Sequence, residues 1–290
     1  MSWRTVVVSK NAKLDYQLGY LVIRMDTTIK IHLSELSILI LESTAISLTA
    51  YLLSELNKKK VKVIFCDEKR NPTSELIPYH GSHDTSAKIR NQIGWSKLIK
   101  DEVWTEIVTE KIRKQRSLLA KLKKHEYNIL DQYVAEIEYR DKSNREGHAA
   151  KVYFNALFGI DFTRTADNSI NAGLNYGYGI LLSIFNREVA ANGYITQLGL
   201  FHDNIFNPFN LASDLMEPFR IIVDDWIYNL NLKEFEHDEK MAVLKILERE
   251  VGIEGRREYL PNAIRIYCKS VFDALNEKNP SMIRFYRNEL

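Results

Sequence analysis

The feature that most constrains this chain is a change of hydrophobic period near residue 79. In Thr28-Ile29-Lys30-Ile31-His32-Leu33 apolar and polar residues alternate, the two-residue rhythm of a half-buried strand. Val61, Val63 and Phe65 share one face of another strand, and Trp3–Ser9, Tyr20–Met25 and Ile38–Leu41 are rich in β-branched or aromatic residues. Between them Ala45, Leu48, Thr49, Leu52, Leu53 and Leu56 fall at helical spacing, with Asn57 as a stop. The run Asn71-Pro72-Thr73-Ser74, followed by Pro78-Tyr79-His80-Gly81-Ser82, breaks both rhythms and reads as a connection.

Beyond it the period becomes helical. Trp104, Ile107, Val108 and Ile112 form one stripe; Leu174, Tyr178, Leu181, Leu182, Phe185 and Val189 form another, ended by Asn192-Gly193. Val243, Ile246 and Leu247 continue the pattern. The expected fold is α+β. A small N-terminal β domain, sandwich-like with one helix, occupies residues 1–79, and a larger all-α domain occupies residues 80–290.

Composition narrows the function classes. With 45% hydrophobic and 27% charged residues, the chain reads as an ordinary soluble globular protein. No apolar run approaches the roughly 18 residues of a membrane helix, and the N-terminus lacks a signal-peptide pattern. Cys66 and Cys268 are too few for a disulfide framework, so a reducing, cytoplasmic setting is expected. A phosphate-binding loop ending in Gly-Lys-Ser/Thr, a Cys-x-x-Cys pair, His-Glu-x-x-His and Gly-x-Ser-x-Gly are all missing.

The net charge of +2 is small, but charge is unevenly placed. From Lys88 to Lys124 there are eleven basic and four acidic residues, densest at Lys111, Arg113, Lys114, Arg116, Lys121, Lys123 and Lys124. This is either a solvated helix face or a surface that tracks phosphates. Six phosphate contacts would give log K against log salt a slope of about −5.

Three segments carry candidate chemistry, and each has a plainer alternative. Glu146 opens a helix, yet Ser143-Asn144-Arg145-Glu146 also matches a capping box in which Glu146 serves the helix end. His202 follows Gly199-Leu200-Phe201 before a polar loop, as a metal ligand or as a structural hydrogen-bonding histidine. Asp214 and Glu217 stand three apart before Pro218 and Arg220. They are ligands, or they complement a helix dipole and pair with Arg220. Pro218 is expected to push Glu217 away from helical angles.

Taken in order, these segments resemble the CRISPR-associated adaptation integrase family, Cas-one, and within it the type II branch. The run Arg145–Phe154 resembles the family's first metal segment. Asn171-Ala172-Gly173-Leu174-Asn175-Tyr176-Gly177-Tyr178 is similar to its central helix signature. Leu198–His202 resembles the histidine segment, and Leu211–Arg220 the final acidic segment. Val61–Asp67 followed by Pro72 fits the first domain. Many relatives carry Asp where Glu217 stands, and Glu is similar to the type II pattern. One departure is Arg164-Thr165-Ala166-Asp167-Asn168, where relatives often have proline after the aspartate.

The resemblance implies Glu146, His202 and Glu217 as catalytic ligands of Mg²⁺ or Mn²⁺, with Asp214 in reserve. One imidazole among the ligands favours Mn²⁺ more than an all-oxygen set would. It further implies attack by a DNA 3′-hydroxyl on a phosphodiester of the CRISPR repeat, with endonuclease activity on the side. The implied partners are double-stranded DNA, a second copy of the chain through the β domain, and a Cas-two dimer bridging two Cas-one dimers. Other type II CRISPR proteins are possible partners too. Arg145, Arg164, Tyr176, Arg256 and Arg257 are the expected DNA contacts. A branched-DNA repair nuclease and a non-catalytic DNA-bridging scaffold are the competing readings.

Overall fold

The computed structural model describes residues 4–79 and 82–287; Trp3 and the His80-Gly81 part of the expected connection lie outside them. Two four-stranded sheets account for the strand-like half. The first has the order β1 (Arg4–Val8), β5 (Leu36–Leu41), β7 (Lys62–Cys66), β8 (Pro72–Glu75). Its first three strands are parallel and β8 is antiparallel. The second sheet has the order β4 (Thr28–His32), β3 (Tyr20–Arg24), β2 (Ala12–Gln17), β6 (Ile46–Leu48).

The two sheets bury one core between them, built from Leu14, Leu21, Ile23, Ile31, Leu39, Leu41 and Val63 and sealed by Leu52 and Leu56 of α1 (Ala50–Lys58). The expected helix over residues 45–57 is shorter in the structure. Ile46–Leu48 pairs with β2 as a strand, and Thr49 caps α1 by accepting the Leu52 N–H. Sheet pairing overrode helical spacing there, as β-branched Ile46 favours. Residues 72–75, read as part of the connection, form the edge strand β8, with proline at the first position where a missing N–H costs nothing.

Strand β5 is buried along its whole length, as a strand covered on both faces should be. Its alternate residues Ile38 and Ile40, with Ile64 and Cys66 of β7, face away from the sandwich and join the helical core. The sheet is also pinned by polar contacts: Glu75 of β8 accepts from Lys62 and from Asn186. Asn186 belongs to α6 (Ser169–Ala191).

The helical half is arranged around α6 and α3 (Lys97–Lys121). Around them pack α2 (Thr85–Ile93), α4 (Tyr127–Ala135), α5 (Arg145–Phe158), α7 (Asn210–Met216), α8 (Arg220–Leu230), α9 (His237–Leu244) and α10 (Leu260–Glu277). A two-stranded hairpin, β9 (Glu250–Ile253) and β10 (Arg256–Tyr259), interrupts the helices. Asn192-Gly193 ends α6 as expected, Gly193 taking φ +84°. Among the described residues no helix is long and apolar enough to cross a membrane.

Candidate metal centre

Glu146 is the second residue of α5. The capping-box alternative does not form: Asn144 occupies the N-cap position in the left-handed region (φ 53°), and its side chain makes no capping bond. Asp141 caps the helix instead. Its two carboxylate oxygens accept the N–H groups of Arg145 (2.7 Å) and Glu146 (3.0 Å). The Glu146 carboxylate is thereby left to reach α3, where the Lys111 ammonium donates to it.

His202 is held by Asp214, a fully buried residue of α7. The Asp214 carboxylate accepts three consecutive backbone N–H groups: Leu200 (2.6 Å), Phe201 (3.1 Å) and His202 (3.2 Å). It also bonds the His202 ring at Nδ1, 2.5 Å away. That bond raises the imidazole's pKa against the opposing effect of partial burial. With Nδ1 engaged, Nε2 is the ring nitrogen left for a ligand, the usual arrangement of a metal-binding histidine backed by a carboxylate. The chain can wrap this closely only because residue 199 is glycine: a Cβ there would lie 2.3 Å from the His202 carbonyl oxygen. Phe201 stacks on Trp104 of α3 at 4.5 Å, and Trp104 meets the His202 ring edge-on.

Glu217 follows α7 directly. Contrary to the expectation from Pro218, it keeps helical angles (φ −51°, ψ −47°), and a short 3₁₀ turn, Glu217–Phe219, leads into α8. Pro218 is tolerated because it starts that turn, where its missing N–H is not needed. Glu217 has two cationic partners: Arg220 on Oε1 (2.9 Å) and Lys111 on Oε2 (2.5 Å). Burial pushes this carboxyl up, but Arg220 and Lys111 outweigh it and bring it down to about 2. Burial lowers the pKa of Lys111, as does nearby Arg220, but the Glu217 and Glu146 carboxylates outweigh both and hold it above its ordinary value.

The structure therefore brings Glu146 and Glu217 onto one ammonium, with His202 close enough for its charge and that of Glu217 to influence each other. Lys111, Asp141, Tyr178 and Asp224 were not singled out from sequence as parts of this site. Lys111 was legible in principle: it stands three and four residues beyond Val108 and Ile107, on the apolar stripe rather than the solvated face. Tyr178 lies between the Arg220 guanidinium (4.8 Å from its ring) and that of Arg164 (5.4 Å). Its hydroxyl donates to Asp224, as does that of Tyr153 at 3.0 Å. Burial pushes Asp224 up to about 6 even though both tyrosines favour its charged form.

The expected DNA contacts are dispersed. Arg145 pairs with Glu136 at 3.0 Å and lies over Tyr133. Arg164 donates to Asn171 and, at 2.7 Å, to Asn175. Tyr176 is buried and lines a cleft of about 700 Å³ with Arg70, His237 and Lys240. Two residues further along the same helix, Tyr178 projects about 200° away and reaches the site. Arg256 and Arg257 are exposed on β10. The basic run divides as well. Lys111 and Lys114 are buried, and Arg116 makes a two-pronged bond to Asp131 (2.9 and 3.0 Å). Arg113, Lys121 and Lys123 are exposed, and Lys124 is half-buried.

Among the described residues no three histidine, cysteine, aspartate or glutamate side chains form a ready-made metal cage. The donor set nonetheless suits one. Two carboxylates from different helices converge on a single positive charge, and an oriented imidazole lies beside them. The Lys111 ammonium stands in for the cation. The residues present thus fit a divalent ion held by Glu146, Glu217 and His202, provided that Lys111 gives way.

The description of the family model that matches residues 5–251 is CRISPR associated protein Cas1. The CRISPR-associated endonuclease Cas1 of Neisseria meningitidis serogroup C (strain 8013) is 31% identical over 298 aligned residues, covering 98% of this chain and 96% of its own. Among solved structures, a casposase bound to integration product superposes with a TM-score of 0.76 at 18% identity, over 96% of this chain and 92% of that one. A Cas6-RT-Cas1–Cas2 complex chain superposes with a TM-score of 0.75 at 18% identity. The match covers 99% of this chain but only 36% of that longer one. The chain belongs to the Cas1 family of CRISPR-associated proteins.

Proposed function

We propose that the protein is a metal-dependent DNA integrase of CRISPR adaptation. It inserts protospacer DNA into the repeat array, and Glu146, His202 and Glu217 hold Mg²⁺ or Mn²⁺. The observation that carries this reading is the pair of carboxylates sharing one cation beside an imidazole whose Nδ1 is already engaged. A bound divalent ion supplies Lewis acidity toward a phosphoryl oxygen and eases ionisation of a hydroxyl.

The chain's own residues supply the rest. Asp214 fixes which imidazole nitrogen faces the site. Arg220, anchored by Glu217 and lying over Tyr178, places a fixed positive charge beside the carboxylates, where a phosphodiester gains negative charge as it reacts. A DNA 3′-hydroxyl attacks the phosphorus, a new phosphodiester forms, and the old bond breaks to release a 3′-hydroxyl. One phosphodiester replaces another, so no nucleotide need be hydrolysed, in keeping with the missing phosphate-binding loop. Water in place of the 3′-hydroxyl gives cleavage, and the name endonuclease borne by the Neisseria relative favours this as a side activity.

The partners are Cas2 and double-stranded DNA; the complex named Cas6-RT-Cas1–Cas2 supports the first, and the casposase bound to integration product supports DNA. We assign the β domain, residues 1–79, to homodimer formation and residues 80–290 to catalysis and DNA binding. Other proteins of a type II system are further partners, as the resemblance of the motif segments implies. Two unpaired cysteines suit a cytoplasmic setting.

The test is strand transfer of protospacer into a supercoiled repeat-bearing plasmid with Mn²⁺ or Mg²⁺. Joined product should need both the metal and a free 3′-hydroxyl, and should fall at least about a hundredfold in Glu146→Gln. Cleavage without joining would favour the repair nuclease. Unchanged metal binding and joining in Glu146→Ala and His202→Ala would favour a scaffold.

A further inference from the structure

A lysine at the bottom of a helical core needs a reason, because burying its charge is costly unless it is paired. Lys111 is buried, and the partners of its ammonium are the carboxylates of Glu146 and Glu217. Arg220 holds the other oxygen of Glu217. Two positive and two negative charges are therefore already matched without any metal. A divalent ion drawn to the same two carboxylates would meet a like charge at short range, where repulsion is strongest.

We propose that Lys111 is a resident counter-cation: it holds the metal position closed in the metal-free protein and is displaced when an ion binds. The inference rests on the metal reading of Glu146, His202 and Glu217 and adds to it the state that precedes loading. It separates two effects that a purely structural lysine would not. Replacing Lys111 with an uncharged side chain of similar length leaves two carboxylates facing each other, which weakens the metal-free fold. The same change removes the competitor, which tightens metal binding.

The experiment measures Mn²⁺ binding by calorimetry, and melting with and without Mn²⁺, for wild type, Lys111→Met, Lys111→Arg and Glu146→Gln. Lys111→Met should melt lower without metal, bind Mn²⁺ about tenfold tighter and recover on loading. Lys111→Arg, which keeps the charge, should bind no tighter than wild type. If Lys111→Met binds Mn²⁺ equally or more weakly while Glu146→Gln loses it, the counter-cation role is wrong and the metal reading stands. Mn²⁺ binding that ignores Glu146 would overturn the metal reading, and this inference with it. A second measurement needs no variant: reductive methylation of wild-type lysines followed by mass spectrometry. Lys111 should resist modification in metal-free protein and become modified once Mn²⁺ is added; protection in both states would overturn the displacement.

Discussion

A methyl group on Gly199 would sit 2.3 Å from the His202 carbonyl oxygen and 2.8 Å from Asp214 Oδ2. Gly199→Ala must therefore open the turn that aims the imidazole. Strand transfer should drop on the order of a hundredfold, the scale of an ångström's misplacement, and the melting temperature should fall as well because the clash is with backbone. Wild-type activity in that variant would show that the turn does not position His202. Asp224 gives a pH-dependent prediction. Its folded pKa, about 6, lies above the roughly 3.9 of a free aspartate. Below the unfolded value both states hold the proton and the group's contribution to stability is fully present. As pH rises through about 6 that contribution is lost, on the order of 2–3 kcal/mol in all. Asn at position 224 cannot titrate, so urea melts should show Asp224→Asn gaining on wild type by that amount from about pH 4 to about pH 8. A pH-independent difference would contradict the raised pKa. The residues named from sequence were those a family pattern marks. Asp224 carries no such mark, because its environment is assembled by Tyr153 and Tyr178 from other helices.

The long helix α3 shows how one element can serve two purposes. Lys111 faces Glu146 and Glu217, and Lys114 donates to the Tyr286 carbonyl at 2.6 Å, while Arg113 and Lys121 lie on the exposed side. A phosphate-tracking surface on the densely basic end of this helix would draw on the second pair rather than the first. Arg113→Ala with Lys121→Ala should flatten the slope of log K against log salt by about 2, read by fluorescence anisotropy on duplex DNA. Lys114→Ala should instead lower stability and leave that slope alone. An unchanged slope in the double variant would place the DNA on another face. The strands and helices with strong period were legible from the chain. Helix α3 appeared as the Trp104–Ile112 stripe, and α6 was marked by its apolar positions and its Asn-Gly stop. The short strands β2, β6 and β8 were not: a partner distant in sequence decides β6, while β2 and β8 pair with chain neighbours but are short and largely polar. The β9–β10 hairpin is local, its strands joined at Glu254-Gly255 with both residues at positive φ, and that turn signal was not read. The basic run went undivided, although spacing from Ile107 and Val108 sets Lys111 on the apolar stripe and Arg113 off it.

At the scale of the whole molecule, the sheet β1-β5-β7-β8 is both a wall of the sandwich and a floor for the helices. Glu75 fastens that junction by accepting from Lys62 and Asn186. Burial and Arg187 lower the pKa of Lys62 to about 6. Near neutral pH Glu75→Ala therefore leaves a buried amine and the Asn186 amide short of an acceptor, and should cost roughly 1–3 kcal/mol, measured by denaturant unfolding. A loss under about 0.5 kcal/mol would mean that the junction is held by apolar packing alone. The double burial of β5 has a consequence for how this chain can vary. Odd positions such as Leu39 and Leu41 answer to the sandwich, even positions such as Ile38 and Ile40 to the helices. A saturation library across residues 38–41 should therefore yield two interleaved classes of failure. Losses at odd positions should first loosen the sandwich, and losses at even positions should first loosen the helices from the sheet. A strand of a few residues thus acts as a shared boundary on which neither half can drift without the consent of the other.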